Sequence, residues 1–222
     1  MIILITGSSS GIGKATSLKF LNEGHIVYGF DKKDSTISHK NYKHFMVDIS
    51  DIEKYPVLDN KIDILINNAG TQNGKDDIST NLKGTINITE NYGINPNIKS
   101  ILFIASAAAH TGFEFPEYVA SKAGIVGYMK NVAYRLAKDY KATCNSLSLG
   151  GVITPLNNPV MDNKEYWNKI MDVTPLKKWM TAEEVAEWIY FITVINKSMT
   201  AQDIVIDNGE KDLNNTFVWP KE

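Results

Sequence analysis

The chain has 222 residues, of which 43% are hydrophobic and 22% are charged. This composition is that of an ordinary globular protein and excludes disordered and collagen-like chains. The formal net charge is -2, so the chain offers no electrostatic footprint for nucleic acid or anionic lipid, and neither is expected as a partner. The length favours one large α/β domain over residues 1–222.

Short apolar runs alternate with longer polar segments along the chain. Because these runs are continuously hydrophobic, each predicts a strand buried on both faces. The seven runs are residues 2–5, 26–30, 44–47, 62–66, 101–104, 142–147 and 204–206. Helices are predicted at residues 14–23, 80–92, 117–140 and 181–195, the last from the capping box Thr181-Ala182-Glu183-Glu184. Helices between successive strands make those strands parallel, so the sequence predicts a doubly wound parallel seven-stranded sheet, a Rossmann-like α/β fold in a single domain.

The single cysteine and the scattered histidines limit the chemistry of the chain. Cys144 cannot form an internal disulfide or a Cys-rich metal site, which favours a reducing compartment, here the cytoplasm. His25, His39, His44 and His110 have no metal-ligand spacing, and no metal is predicted. The first apolar run is far shorter than the roughly 20 residues of a membrane span, so no membrane association is expected.

A glycine-rich turn, Thr6-Gly7-Ser8-Ser9-Ser10-Gly11-Ile12-Gly13, follows the first strand and opens the first helix. Glycines let a backbone turn tightly and approach a pyrophosphate, and a helix N-terminus supplies amide donors and a partial positive charge. A Gly/Ser turn without any ligand is the alternative. The predicted cofactor contacts in this turn are Gly7, Ser9, Ser10, Gly11, Ile12 and Gly13.

Asp31 ends the second predicted strand, 24 residues after Gly7. An acid at about this distance holds a ribose 2′-hydroxyl in dinucleotide-binding folds. Its carboxylate would repel a 2′-phosphate, which favours NAD over NADP, although Lys32 and Lys33 follow and would soften the repulsion. Lys32 is also a predicted cofactor contact. A loop-capping role is the alternative for Asp31.

Tyr118 and Lys122 are four residues apart in a predicted helix, so their side chains share one face. A phenol with a pKa near 10 is a poor acid or base at neutral pH unless a nearby cation stabilises its phenolate. By itself this spacing is more typical of an exposed helix surface. Ser106 ends the fifth predicted strand, 12 residues before Tyr118. Taken alone, a serine at a strand end usually forms a turn.

Three motifs in register resemble the short-chain dehydrogenase/reductase family. They are the glycine-rich turn, Asn67-Asn68-Ala69-Gly70 after the fourth strand, and Tyr118-x-x-x-Lys122, and the resemblance runs from residue 2 to about 209. It implies a nicotinamide cofactor across the carboxyl ends of the strands. The contacts that it implies are Asp48 and Ile49 near the adenine, Asn68, Ala69 and Gly70 at the adenosine ribose, Lys122 with Tyr118 at the nicotinamide ribose, and Val152 and Thr154 at the carboxamide.

The same resemblance implies the catalytic roles. Ser106 would bind the substrate oxygen, Tyr118 would transfer a proton, and Lys122 would lower the pKa of Tyr118. Asn81 would hold a water that links the lysine to solvent; a solvated mid-helix residue is the alternative there. These roles predict reversible hydride transfer between NAD(P) and a small carbonyl or alcohol substrate. A non-catalytic NAD-binding sensor or scaffold, and an epimerase with tightly bound NAD, remain alternatives.

The remaining predictions concern the substrate region, the shortened segments and the assembly. A loop at about 155–180 carries apolar residues that would either line the substrate or pack onto the sheet. Only 19 residues separate Asp48 from Asn67, so the third helix is expected to shrink to a turn around Pro56. The resemblance implies a homodimer or homotetramer. The tail 211–222, with Phe217, Val218 and Trp219, would dock on the chain's own core, on a neighbouring subunit or over the active site.

Overall fold

The computed structural model describes residues 1–72, 74 and 76–213. Its strands are β1 (Ile2–Thr6), β2 (Ile26–Asp31), β3 (Tyr42–Met46), β4 (Ile64–Asn67), β5 (Ser100–Ser106), β6 (Thr143–Leu149), β7 (Val152–Ile153), β8 (Met180–Thr181) and β9 (Asp203–Ile206). Seven of them form one sheet in the order β3-β2-β1-β4-β5-β6-β9, and every pairing is parallel. The predicted doubly wound parallel sheet is therefore confirmed. The small β7–β8 pair was not predicted.

The helices cover both faces of the sheet. They are α1 (Gly11–Asn22), α2, α3 (Ala108–Thr111), α4 (Pro116–Tyr140), α5 (Asn158–Met161), α6 (Lys164–Val173) and α7 (Ala182–Tyr190). Helix α2 consists of three consecutive segments. These are Ile78–Gly84 with π-helical turns, Thr85–Ile88 with α-helical turns and Thr89–Gly93 with π-helical turns. Helix α7 continues into a π-helical segment, Phe191–Ile195. Between β3 and β4 the only helix in the described chain is the 3₁₀ turn Ile52–Lys54, which confirms the predicted loss of the third helix.

Two hydrophobic layers enclose the sheet, and β1 contributes to both. Leu4 packs in the layer that includes Phe103 and Met129, whereas Ile3 and Ile5 pack in the other layer. All three β1 side chains are 0% exposed. Since neighbouring residues of a strand point to opposite faces, each position of a strand buried on both faces needs an apolar residue or a polar one whose side chain is hydrogen-bonded, as at Asn145, Ser146 and Ser148 of β6. This requirement explains the continuous apolar runs of the sequence.

Strand order reverses between β1 and β4, and this position fixes where a ligand can bind. The chain runs outward from β1 to β3, then returns to the other side of β1 at β4. In open parallel sheets the loops at such a switch point diverge and leave a crevice outside the carboxyl ends of the strands. The turns after β1 and β4 therefore face each other here, and they carry two of the three motifs.

The segment predicted as a substrate loop contains helices that the sequence did not predict. Helix α6 begins after Asn163, whose side chain accepts hydrogen bonds from the Glu165 and Tyr166 amides. On its inner side Trp167 meets Trp179 edge to face, with ring centroids 5.0 Å apart. A Cβ at Gly151 would lie only 2.0 Å from the Trp179 indole. Trp179 thus packs directly on the backbone after β6, and Trp167 connects α6 to it.

The capping box is confirmed at the start of α7. The Thr181 hydroxyl accepts a hydrogen bond from the Glu184 amide, and the Glu184 carboxylate accepts one from the Thr181 amide. Within residues 1–72, 74 and 76–213, no helix is long and apolar enough to cross a membrane, and no group of three or more His, Cys, Asp or Glu residues is placed to hold a metal. Of the predicted tail, residues 214–222 lie outside the described residues.

Candidate active site

The glycine-rich turn forms a cradle that has no room for side chains. Gly7 and Gly11 have φ values of +70° and +49°, in the left-handed region that favours glycine. A Cβ at Gly13 would lie 2.0 Å from the Gly7 carbonyl oxygen. Ser10 precedes α1 in an extended conformation and is exposed, and Ile12 packs against the core. The arrangement fits a pyrophosphate at the N-terminus of α1, which the sequence predicted.

The Asn68-Ala69 turn is bound to the glycine-rich turn across the switch point. The Thr6 hydroxyl accepts hydrogen bonds from the Asn68 and Ala69 amides, each at 3.0 Å. In return the Asn68 side-chain amide donates to the carbonyl oxygens of Thr6 at 2.9 Å and of Gly7 at 3.2 Å. Gly70 follows and is exposed. The structure thus brings the first two motifs into direct contact.

Asp31 lies beside the glycine-rich turn, as the spacing predicted. Its Oδ2 accepts a hydrogen bond from the Ser9 amide and its Oδ1 accepts one from the Lys33 amide, both at 2.9 Å. The Ser9 hydroxyl donates to the Lys33 carbonyl oxygen at 3.0 Å. These bonds fix the carboxylate at the end of β2 while Lys32 remains exposed. A fixed negative charge at this position opposes a 2′-phosphate and accepts hydrogen bonds from ribose hydroxyls.

Asp48 and Ile49 follow β3 and show two different environments. The exposed Asp48 carboxylate accepts hydrogen bonds from the Ser50 amide and hydroxyl, and these bonds hold its pKa below the usual range. Ile49 is buried against Gly84 of α2. Both Asp48 bonds are local ones to Ser50, two residues on, and they leave the side chain at the carboxyl edge of the sheet.

Thr154 and Val152 lie at the opposite side of the glycine-rich turn. A Cβ at Gly11 would contact the Thr154 side chain at 3.2 Å, so the two backbones are close neighbours. Val152 is buried in β7, and its carbonyl oxygen accepts a hydrogen bond from the Asn157 side chain at 2.8 Å. Thr154 therefore borders the glycine-rich turn, and the contact of Val152 and Thr154 with a nicotinamide carboxamide stays a prediction.

Ser106, Tyr118 and Lys122 come together at the carboxyl end of β5. Ser106 is buried, its hydroxyl accepts a hydrogen bond from the Ala108 amide at 3.2 Å, and Ser106 lies close enough to the Tyr118 phenol to lower its pKa. The Lys122 Nζ atom lies 5.6 Å from the centroid of the Tyr118 ring and donates a hydrogen bond to the Ile104 carbonyl oxygen at 2.9 Å. A Cβ at Gly70 would lie 3.6 Å from the same Nζ atom. Lys122 therefore reaches the Asn68-Ala69-Gly70 side of the crevice.

Burial controls the protonation of both catalytic candidates. It raises the pKa of the Tyr118 phenol to about 12 against the lowering effect of Ser106, and Glu114 and Asp77 raise it further. Burial also lowers the pKa of Lys122 to about 8, although Glu114 and Asp77 oppose that change. Desolvation of the phenolate is the largest influence on Tyr118 in this structure, and the lowering of its pKa by Lys122 stays a prediction.

Asn81 is completely buried in the first π-helical part of α2, not solvated as the alternative had it. Its Oδ1 accepts the Thr71 amide at 2.7 Å, while Nδ2 donates to the Thr71 carbonyl oxygen at 2.9 Å and to Ser121 Oγ at 3.1 Å. Ser121 in turn donates to the Tyr118 carbonyl oxygen at 2.7 Å. Both amide hydrogens of Asn81 are thus committed, and its side chain joins the loop after β4 to α4.

Four polar residues of this site were not predicted from the sequence. Thr71 and Gln72 directly follow the Asn67–Gly70 motif, and Asp77 and Glu114 precede Asn81 and Tyr118 by four residues each. That spacing was an available signal, because residues four apart in a helix share a face. It was weak, because Glu114 precedes α4, which begins at Pro116.

Comparison with known proteins agrees with this geometry. A family model described as short chain dehydrogenase matches residues 1–165. A 3-oxoacyl-[acyl-carrier-protein] reductase FabG from Thermotoga maritima is 30% identical over 240 aligned residues, which cover 94% of this chain and 96% of that protein. The match thus spans nearly the whole length of both proteins.

Solved structures give the same result. A 4-hydroxyisoleucine dehydrogenase complexed with NADH superposes with a TM-score of 0.83 at 26% identity, covering 94% of this chain and 98% of the other. A putative 2-deoxy-D-gluconate 3-dehydrogenase from Agrobacterium tumefaciens with bound NADP has a TM-score of 0.84 at 20% identity, covering 94% and 95%. At that identity the second likeness shows the fold alone.

Proposed function

The chain belongs to the short-chain dehydrogenase/reductase family, and on that premise we propose that it catalyses reversible hydride transfer between NAD(P) and a small carbonyl or alcohol substrate. The observation that supports the proposal is the meeting of Ser106, Tyr118 and Lys122 at the end of β5, with Lys122 beside Gly70. The relatives named above, a reductase and a dehydrogenase complexed with NADH, support the reaction class.

The glycine cradle would hold the pyrophosphate and Asp31 the adenosine ribose, with Val152 and Thr154 near the carboxamide. A bound nicotinamide supplies or accepts the hydride. The residues of the chain handle the proton and the oxygen. In reduction, the Ser106 hydroxyl orients the carbonyl oxygen, and the Tyr118 phenol donates its proton to that oxygen as the negative charge develops. With a pKa of about 12, the phenol carries this proton at neutral pH.

Lys122 and Asn81 support the tyrosine in different ways. The Lys122 ammonium stabilises the tyrosinate that remains after proton donation, because a cation favours a nearby anion. Asn81 holds Thr71 and Ser121 in place, and through them the backbone beside Lys122 and Tyr118. A water held beside Asn81 would return the proton from solvent; with both amide hydrogens committed, that water would be held by oxygen acceptors.

We propose NAD as the preferred cofactor because the Asp31 carboxylate is fixed at the ribose position by two backbone amides. The test is titration of the protein with NADH and with NADPH, followed by cofactor or tryptophan fluorescence. We expect NADH to bind at least about tenfold tighter than NADPH, because the Asp31 carboxylate would make one unfavourable charge contact with the 2′-phosphate of NADPH. Tenfold tighter binding of NADPH would contradict the assignment of Asp31.

The Tyr118→Phe variant tests the chemistry. With the preferred cofactor and a panel of carbonyls and alcohols, it should lose about 10²- to 10⁴-fold in turnover while its affinity for NADH stays within about twofold. Tyr134, exposed on the same helix, provides the matched control Tyr134→Phe, which should keep full turnover. Unchanged turnover in Tyr118→Phe would remove the proton donor from the proposal.

The same experiment separates the alternatives. A sensor or scaffold would bind cofactor without turning over any substrate of the panel. An epimerase would release NAD on denaturation after purification and would produce no net absorbance change at 340 nm. The proposed oxidoreductase changes the absorbance at 340 nm in proportion to product.

We also propose a homodimer or homotetramer, which light scattering on a size-exclusion column tests; a monomer at micromolar concentration would contradict it. A cytoplasmic location is part of the same proposal. It is supported by Cys144, which is 0% exposed and whose thiol pKa burial raises.

A further inference from the structure

Two carboxylates flank the Tyr118–Lys122 pair from different parts of the chain. Asp77 lies immediately before α2 and is only 1% exposed. Glu114 lies in the exposed loop between α3 and α4, four residues before Tyr118. The reaction proposed above uses neither of them.

Consecutive residues of the loop after β4 hold these two carboxylates. The Thr71 hydroxyl donates a hydrogen bond to Asp77 Oδ1 at 2.6 Å, and the Gly74 amide donates to both Asp77 oxygens at 3.3 Å. The neighbouring Gln72 side chain donates to Glu114 Oε2 at 2.7 Å. One short segment, directly after the Asn68-Ala69-Gly70 turn, therefore fixes two negative charges in relation to the crevice.

Thr71 also connects Asp77 to the buried Asn81. The Thr71 amide and carbonyl are both bound by the Asn81 side chain, and its hydroxyl is bound by Asp77. Asn81 continues through Ser121 to the backbone of Tyr118. A buried carboxylate thus completes a hydrogen-bonded chain that ends at the helix turn carrying Tyr118 and Lys122.

Both charges act on Lys122 and Tyr118. Burial lowers the pKa of Lys122, and Glu114 and then Asp77 oppose this lowering. The other groups around Lys122 are the Ile104 carbonyl oxygen of β5, which accepts its hydrogen bond, and the Tyr118 ring of its own helix. A buried ammonium with only neutral neighbours would lose its proton readily.

We propose that Asp77 and Glu114 are positioning residues for the catalytic pair, held by Thr71 and Gln72 so that their negative charges keep Lys122 protonated and Tyr118 in its phenol form. The inference rests on the proposed function for the importance of Lys122. It adds a direction: because both carboxylates disfavour the tyrosinate, alcohol oxidation, which needs a proton acceptor, requires a higher pH than carbonyl reduction.

The test follows the proton on Lys122 and requires no substrate. Protein labelled with ¹³C at the lysine ε carbons is titrated by NMR, and the Lys122 signal is assigned by its absence in Lys122→Arg. We expect it to titrate near pH 8, about two pH units below the reference value of an unperturbed lysine, about 10.4. In Glu114→Gln and Asp77→Asn, each of which keeps a side-chain oxygen as hydrogen-bond acceptor, the acid dissociation constant of Lys122 should rise about three- to tenfold.

Asp76→Asn is the matched control, because Asp76 is the exposed neighbour of Asp77. It should leave the Lys122 midpoint unchanged. A midpoint that stays constant or rises in Glu114→Gln and Asp77→Asn overturns the proposal, and so does an equal shift in Asp76→Asn. If Asp77→Asn does not fold, Glu114→Gln alone decides. Since the titration measures no turnover, its outcome is separate from that of Tyr118→Phe.

Discussion

Replacing Lys122 by methionine is expected to stabilise the folded protein at neutral pH while it removes the proposed catalytic cation. Folding lowers the pKa of this lysine from 10.5 to about 8. That change corresponds to about 3 kcal/mol of unfavourable free energy for the buried ammonium, at 1.36 kcal/mol per pH unit. Loss of the hydrogen bond to the Ile104 carbonyl oxygen costs about 1 kcal/mol. The net gain should be about 2 kcal/mol.

The gain depends on pH in a direction that follows from the lowered pKa. Below pH 8 both folded and unfolded chains carry the proton, and the wild type bears the full penalty. Between pH 8 and 10.5 the unfolded chain binds more protons than the folded chain, so this lysine contributes a stability that rises with pH. The advantage of the methionine variant should therefore be largest at pH 7 and disappear by about pH 10.5.

Urea unfolding of wild type and Lys122→Met, followed by circular dichroism at pH 7 and pH 10, measures this difference. Other lysines and tyrosines titrate in both proteins and cancel in the comparison. Lys130→Met, an exposed position on the same helix, should show little change at either pH. A Lys122→Met protein that is less stable than wild type at pH 7, or whose advantage is the same at both pH values, would refute the reasoning.

Further predictions concern two glycines, the N-terminal cap of α7 and the Asp31 carboxylate. In Gly13→Ala the added Cβ would lie 2.0 Å from a carbonyl oxygen. NADH affinity, measured by fluorescence, should therefore fall at least about tenfold. Gly127→Ala, where nothing lies within 4 Å of the added Cβ, should instead raise the free energy of unfolding by about 0.5–1 kcal/mol. Thr181→Ala should lower it by about 1 kcal/mol in urea unfolding, because the Glu184 amide loses its acceptor. Asp31→Asn removes the charge and keeps only one of the two backbone hydrogen bonds, because its amide nitrogen cannot accept one. It should reduce the preference for NADH over NADPH about tenfold; an unchanged preference would show that the charge is irrelevant.

The sheet was predictable because burial on both faces leaves a mark at every residue of a strand. Runs such as Ile64–Asn67 and Ser100–Ser106 have no exposed position in the structure, and the sequence shows the same runs without alternation. The start of α7 was predictable for a local reason, since its capping box needs only Thr181 and Glu184. The cofactor turn was predictable because the φ values of Gly7 and Gly11 favour glycine and because a Cβ at Gly13 would collide with the Gly7 carbonyl oxygen.

The parts that escaped prediction depend on distant contacts. Helix α6 buries no residue completely, so its apolar side chains look like those of a loop, and its position depends on the Trp167–Trp179 contact. The π-helical turns around Asn81 follow from where that side chain is bound, which no local pattern reveals. The raised pKa of Tyr118 depends on burial and on two acids from other loops, whereas the motif alone suggests a cation as the dominant neighbour.

The stacking of Trp179 on Gly151 gives the protein an intrinsic optical reporter. Two indoles whose centroids are 5.0 Å apart at an interplanar angle of 81° couple electronically, and the coupled pair contributes to near-ultraviolet circular dichroism. One member rests on the strand end beside the cradle and the other on α6. Any displacement of α6 relative to Trp179 changes this signal without an attached dye, so motion of α6 can be timed in the unlabelled protein.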